Sequence, residues 1–261
     1  YEAALGMLLL SVVETAAGTA CFRETFIHRV QAWLMSRGES ATAAASIAEL
    51  LGTRSTEEVL AMARATFMYV RADRLYRNDM ADNIPNVKLA ALAQKGHLGD
   101  VDGFFSHSWH DDPRSKWKAL QRWRKAFKKR HKREPKLWVD KYCINQSNIE
   151  DSLACLPVYL AGCKKLIIFC GDTYLKRLWC LVEIFVFLQM GGHLSNLEVI
   201  MLKDKDESQT STTKAVEDFD ARDARCFTEF DTDRLQGVIA STGHEKIADL
   251  VRNVFASTEF V

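Results

Sequence analysis

One carboxylate stands inside the most apolar stretch of this chain. Leu175 to Met190, LKRLWCLVEIFVFLQM, holds no Gly or Pro and is long enough for about four helical turns. From Leu178 onward it is apolar on every side, as a helix buried all round would be, and Glu183 is its one charged residue. An ionised carboxylate in such surroundings is expensive unless it is paired or put to use. Trp179 lies one turn earlier and Cys180 three residues earlier, so an indole and a thiol share the face of Glu183. On helix pattern alone, an edge position or a buried Arg partner accounts for Glu183. The flanking sequence turns the reading toward chemistry.

Other clusters offer less. Ser106, His107, Ser108, His110, Asp111 and Asp112 contain the residue types of a serine hydrolase or a metal site. Neighbours on a strand point to opposite faces, so residues this close in sequence do not form a triad. They read as a polar loop at a strand end, and no metal is expected. The run Lys128-Lys-Arg-His-Lys-Arg reads as the solvated end of a helix. Cys143, Cys155, Cys163, Cys170 and Cys180 lack zinc-ligand spacing and read as core thiols.

The elements that must hold these groups fall into two stretches. The chain has 261 residues and a net charge of +1, so no global field selects nucleic acid or an anionic membrane. Seven cysteines without a CxxC pair suggest reduced thiols and a cytoplasmic protein. The opening Tyr suggests a piece of a longer chain. Leu5 to Cys21 is too short in its apolar part, and carries Glu14, so a core helix is expected there rather than a membrane span. Residues 1–95 read as a helical N-terminal extension: Ala3–Ala17, Phe22–Ser36, Ser40–Leu51, Thr56–Arg77 and, after a polar turn with Pro85, Val87–Gln94. Ser55 and Glu58 form a capping-box pattern.

Residues 96–261 read as an α/β domain. Expected strands are Gly103–Ser106, Lys136–Val139, Lys165–Cys170 and Leu197–Leu202, with Arg225–Phe227 a short fifth. Expected helices are Ser115–Lys132, with Trp117, Leu120, Trp123 and Phe127 on one stripe; Ile149–Gly162, kinked by Pro157; the Glu183 helix; Thr232–Ala240; and Glu245–Ala256. This alternation implies a parallel sheet with helices on both faces, with ligands beyond the carboxyl ends of the strands.

Three blocks then resemble the Toll/interleukin-1 receptor (TIR) domain family. Asp102-Gly-Phe-Phe-Ser-His-Ser-Trp is similar to the family's first strand. Leu137-Trp-Val-Asp140-Lys-Tyr-Cys-Ile-Asn-Gln146 is similar to its second strand, terminal Asp and BB loop. Thr173-Tyr-Leu-Lys-Arg-Leu-Trp179-Cys180-Leu-Val-Glu183-Ile carries the most specific pattern, Trp-Cys followed after two residues by Glu. The resemblance covers roughly Asp100 to Phe255. It departs from the family in lacking an Arg after the first strand and a Gly between Asp140 and Ile149, and in placing Lys-Arg-Leu before Trp179.

The resemblance implies a flavodoxin-like fold and cleavage of the nicotinamide–ribose bond of NAD, with NAD as substrate and no further cofactor. Glu183 matches the family's catalytic position. The substrate-binding set it suggests is Phe105, Ser106, His107, Ser108, Trp109, Trp138, Asp140, Lys141 and Trp179. One carboxylate suffices in principle: nicotinamide leaves NAD as a neutral molecule, so no general acid is required, and the ribosyl cation left behind needs a negative charge nearby. The family also implies self-association through TIR–TIR contacts, with no nucleic-acid or membrane partner. A non-catalytic assembly module is the alternative. Nucleoside deoxyribosyl transfer, a third class using a similar sheet, has no convincing motif here.

Overall fold

Ser55 opens the first helix. Its Oγ accepts the Glu58 N–H at 3.2 Å, and its own N–H donates to the Glu58 carboxylate at 2.8 Å, the reciprocal pairing of a capping box. The computed structural model describes residues 54–82, 84, 86–145, 148–202 and 214–257. The helices expected at Ala3–Ala17, Phe22–Ser36 and Ser40–Leu51, the apolar run Leu5–Cys21 and the polar loop Lys203–Thr213 lie outside these residues.

The helix that Ser55 starts, α1, covers Thr56–Thr66 and stops well short of Arg77. Phe67 is extended and Met68–Arg71 forms a strand, β1. Val70 pairs with Leu137 and Arg71 with Lys136, antiparallel. Phe67 and Val70 are completely buried there. Tertiary pairing overrides the helical pattern because Met-Tyr-Val suits a strand equally well. The helix expected at Val87–Gln94 is likewise cut to Val87–Ala90 (α2), and Gln94–Lys95 (β2) pairs antiparallel with β1. The stretch read as wholly helical therefore lends two strands to the sheet.

From there the chain alternates. Gly103–His107 (β3) leads to Pro113–His131 (α3), then Lys136–Trp138 (β4) and the short helix Asp140–Cys143 (α4). Ile149–Ala154 (α5) and Leu156–Ala161 (α6) replace the single kinked helix expected, with Pro157 in the first turn of the second. Pro lacks the N–H an uninterrupted helix would need at that point and is well placed in a first turn. Leu166–Cys170 (β5), Leu178–Gln189 (α7), Leu197–Met201 (β6), Glu229–Thr242 (α8) and His244–Ser257 (α9) complete the order.

The sheet order is β2-β1-β4-β3-β5-β6, parallel from β4 to β6 and antiparallel at β1 and β2. It is a mixed sheet, not the all-parallel one expected. Its parallel part, second-first-third-fourth in chain order, is compatible with a flavodoxin-like arrangement. Arg225–Phe227 forms no strand, only an isolated bridge from Arg225 to Arg177. Phe104, Ile167, Phe169 and Val199 are buried strand residues, while Met201 is half-buried and Val139, also buried, falls just past β4.

Helices cover both faces. The Trp123 indole of α3 donates to Glu198 at 2.6 Å, on the face carrying Phe105, His107 and Ile167. On the other face Tyr159 of α6 packs against Trp138 and Glu183 of α7 reaches Ser106. The α3 helix buries Lys116, Ala119, Leu120 and Trp123, a stripe rotated from the one read in sequence, which leaves Trp117 and Phe127 half-buried. At Gly103 a Cβ would fall 2.2 Å from Ile167 Cδ1, so a larger residue here would push the Ile167 side chain aside. Among the described residues no helix is long and apolar enough to cross a membrane.

Candidate functional site

The central strand delivers the site. Ser106, near the carboxyl end of β3, is completely buried, and its Oγ donates to Glu183 Oε2 at 2.5 Å. The Tyr174 hydroxyl lies 2.6 Å from the same Oγ. Ser106 has one proton and spends it on Glu183, so the Tyr174 phenol is the donor to Ser106. Burial pushes that phenol well above its ordinary pKa and keeps it neutral. The result is an ordered chain, Tyr174 to Ser106 to Glu183.

Glu183 is half-buried and pairs with no cation among the described residues. Burial pushes its carboxyl up to about 8; the Ser106 hydrogen bond opposes this and the charge of Asp140 adds to it. It is therefore mostly a neutral acid at pH 7. Of the two structural accounts of Glu183, the buried Arg partner is absent.

Asp140 follows β4 and behaves oppositely. Burial alone would raise its carboxyl, yet its neighbours hold it below the usual carboxylate range. The Lys141 backbone N–H donates to Oδ1 at 2.6 Å, and the Trp109 indole donates to Oδ2 at 3.0 Å. His107 Nε2 stands 3.9 Å from Oδ1, a charge contact too long for a hydrogen bond. Both His107 ring nitrogens are buried without a hydrogen-bond partner. Two carboxyl groups with pKa values driven apart are the pattern that assigns acid and base roles.

Two lysines flank Trp109. Lys116 Nζ lies 5.4 Å and Lys141 Nζ 5.2 Å from the ring centroid, within cation–π range. Lys116 is fully buried; its Nζ donates to the Ser108 carbonyl at 2.8 Å. Burial brings its pKa down to about 8, against the opposing charges of Asp111, Asp140 and Asp112. Lys141 Nζ bonds to the Asp79 and Asp82 carbonyls and to the Asp82 carboxylate.

Asp111 pins the loop after β5. Its carboxylate accepts from the N–H groups of Gly171 and Thr173 at 3.1 and 2.9 Å and from the Thr173 hydroxyl at 2.7 Å. Thr173 Oγ1 also lies 2.7 Å from Ser108 Oγ. This ties the loop leading to Tyr174 and α7 to the loop after β3. A Cβ on Gly171 would fall 2.4 Å from the Asp111 carboxyl carbon. Gly171→Ala should displace that carboxylate and lower stability by about 1–3 kcal/mol, read as a fall in Tm of several degrees.

Of the residues singled out in sequence, Ser106, His107, Ser108, Trp109, Asp140 and Glu183 come together. Trp179 is half-buried on the first turn of α7. Trp138 and Phe105 are packed in the core. Trp138 is 1% exposed and stacks on Phe104 at 4.3 Å, and Phe105 is 2% exposed against Phe169 and His107. Sequence reasoning gave no site role to Tyr174, Thr173 or Lys116 and read Asp111 only as part of a polar loop. Lys116 had a signal: it sits at helical spacing from Ala119, Leu120 and Trp123. Asp102, the acidic residue of the first block, is a buried ion-pair partner of Arg133, with hydrogen bonds of 2.5 and 2.6 Å.

A cavity of about 280 Å³ opens beside this loop, lined by Cys170, Gly171, Asp172, Leu175, Lys176 and Phe219 among others. It shares Gly171 with the site but includes neither Glu183 nor Asp140. Among the described residues no group of three or more His, Cys, Asp or Glu side chains is arranged to hold a metal ion. A scan of the chain against protein-family models finds no match, and searches of curated proteins and of solved structures return no similar protein.

Proposed function

We propose that the chain is a TIR-like NAD glycohydrolase in which Glu183 faces the ribosyl cation formed as nicotinamide leaves. The observation that carries this reading is Glu183, half-buried, without a cation partner among the described residues and anchored by Ser106 at the carboxyl end of the central parallel strand. Ligands of doubly wound sheets sit in that position. A carboxylate aimed at developing positive charge in a dry site lowers the barrier without needing a leaving-group acid. Trp179, one turn before Glu183, offers a flat surface for the nicotinamide ring.

The reactive form is the ionised one, so kcat/KM for NAD should rise about tenfold per pH unit up to about pH 8 and then level off. Nicotinamide release across pH, protein concentration and a crowding agent is the test. A folded protein that releases none under any condition is not this enzyme. A second reading, a module that acts by self-association, is favoured by Phe227 and Phe230, 77% and 75% exposed.

A further inference from the structure

Glu183 and Asp140 converge on the carboxyl end of β3 from different elements, one from helix α7 and one from the end of β4. Both residues are half-buried, and the Glu183 carboxyl senses the charge of Asp140, while Ser106, His107 and Ser108 are buried. Each is anchored independently: Glu183 by Ser106, and Asp140 by the Trp109 indole and the Lys141 backbone N–H. Cleaving NAD needs only one carboxylate. A second, separately held carboxyl is what hydrolysis of an uncharged N-glycoside adds, because a neutral base must be protonated to leave.

We infer that the same site also hydrolyses neutral ribonucleosides, with Glu183 as general acid to the departing base and Asp140 as the carboxylate facing the sugar. This rests on the reading that a ribosyl centre occupies the site. Glu183 gives its proton to a ring nitrogen of the base as the C1′–N bond breaks, its electron pair leaving with the base. Water adds at C1′ and passes a proton through Asp140 to solvent, and solvent reprotonates Glu183. The sum is riboside plus water to ribose plus neutral base. The groups around Glu183 are Ser106, Tyr174, Cys180 and Asp140. Those around Asp140 are His107, Trp109, Lys141 and Lys116. Near pH 7 this setting keeps Glu183 protonated and Asp140 ionised, the assignment the mechanism needs.

The two substrates then titrate the same group in opposite directions. Adenosine and NAD are incubated separately with the protein from about pH 6 to about pH 9.5, and free adenine and nicotinamide are quantified. Adenosine kcat/KM should be flat up to about pH 8 and fall about tenfold per unit above it, the reverse of the NAD profile. Glu183→Gln and Asp140→Asn should each lower adenosine cleavage by at least about 100-fold while the melting curve shows a folded protein. NAD cleavage without adenine release overturns this inference and leaves the NAD reading standing. Adenine release without nicotinamide release upholds it and overturns the NAD reading. Release of neither overturns both. Adenosine cleavage unchanged in both variants overturns the inference alone.

Discussion

Glu183→Gln should reduce NAD turnover by about 100-fold or more and leave the fold intact. Gln keeps an oxygen to accept from Ser106, so the Tyr174–Ser106 chain survives. What it lacks is the ionised form. Stability gives the control, and its sign follows from linkage. Glu183 has a folded pKa of about 8 against an ordinary 4.5. Between these values the folded state holds a proton that the unfolded state has lost, so stability is greatest at low pH and declines as pH rises through the window. Gln does not titrate. The variant should match the parent near pH 5 and be more stable above pH 8. A variant that unfolds at lower temperature at every pH would make Glu183 a structural residue.

Stability of the parent should fall as pH rises from about 5 to about 8. Glu183 lowers it through that range by an amount on the order of a few kcal/mol. Lys116 acts with the opposite sign above pH 8: its folded pKa of about 8 lies below the ordinary 10.5, so between these values the unfolded state holds the extra proton. The buried cysteines, whose thiols burial pushes up, lower stability again at the alkaline end. Thermal melts from about pH 5 to about pH 8 should show a falling Tm, and Glu183→Gln should flatten it. A Tm that rises steadily from pH 5 to 8 would contradict the burial of an unpaired Glu183.

The four parallel strands were legible in the sequence to within about one residue because each is a short apolar run bounded by Gly, Pro or charge. Glu183 was legible for the opposite reason, a charge where the pattern has none. β1 and β2 were not, because Met68–Arg71 follows α1 with only Phe67 between and is extended only through a partner far along the chain. Trp138 and Phe105 show the limit at the site itself. The family resemblance nominated them, but only the structure reveals that Phe104 stacks on Trp138 and that Phe169 packs against Phe105. Tyr174 stood in the most specific block, as the Tyr ahead of Trp-Cys, but nothing local says that its hydroxyl meets a serine 68 residues away.

The pairing of β1 with β4 also bears on the order in which the protein is made. Val70 meets Leu137, 137 − 70 = 67 residues later. At synthesis rates of about 5–20 residues per second, β1 leaves the ribosome roughly 3–13 s before its partner exists. Through that interval its backbone N–H and C=O groups toward β4 have no strand to bond, and Val70 has no sheet to cover it. Phe67, Met68 and Val70 then form the kind of exposed apolar edge that a chaperone recognises. That exposure lasts until β4 is made, after the central strand of the site but before the helix that carries Glu183.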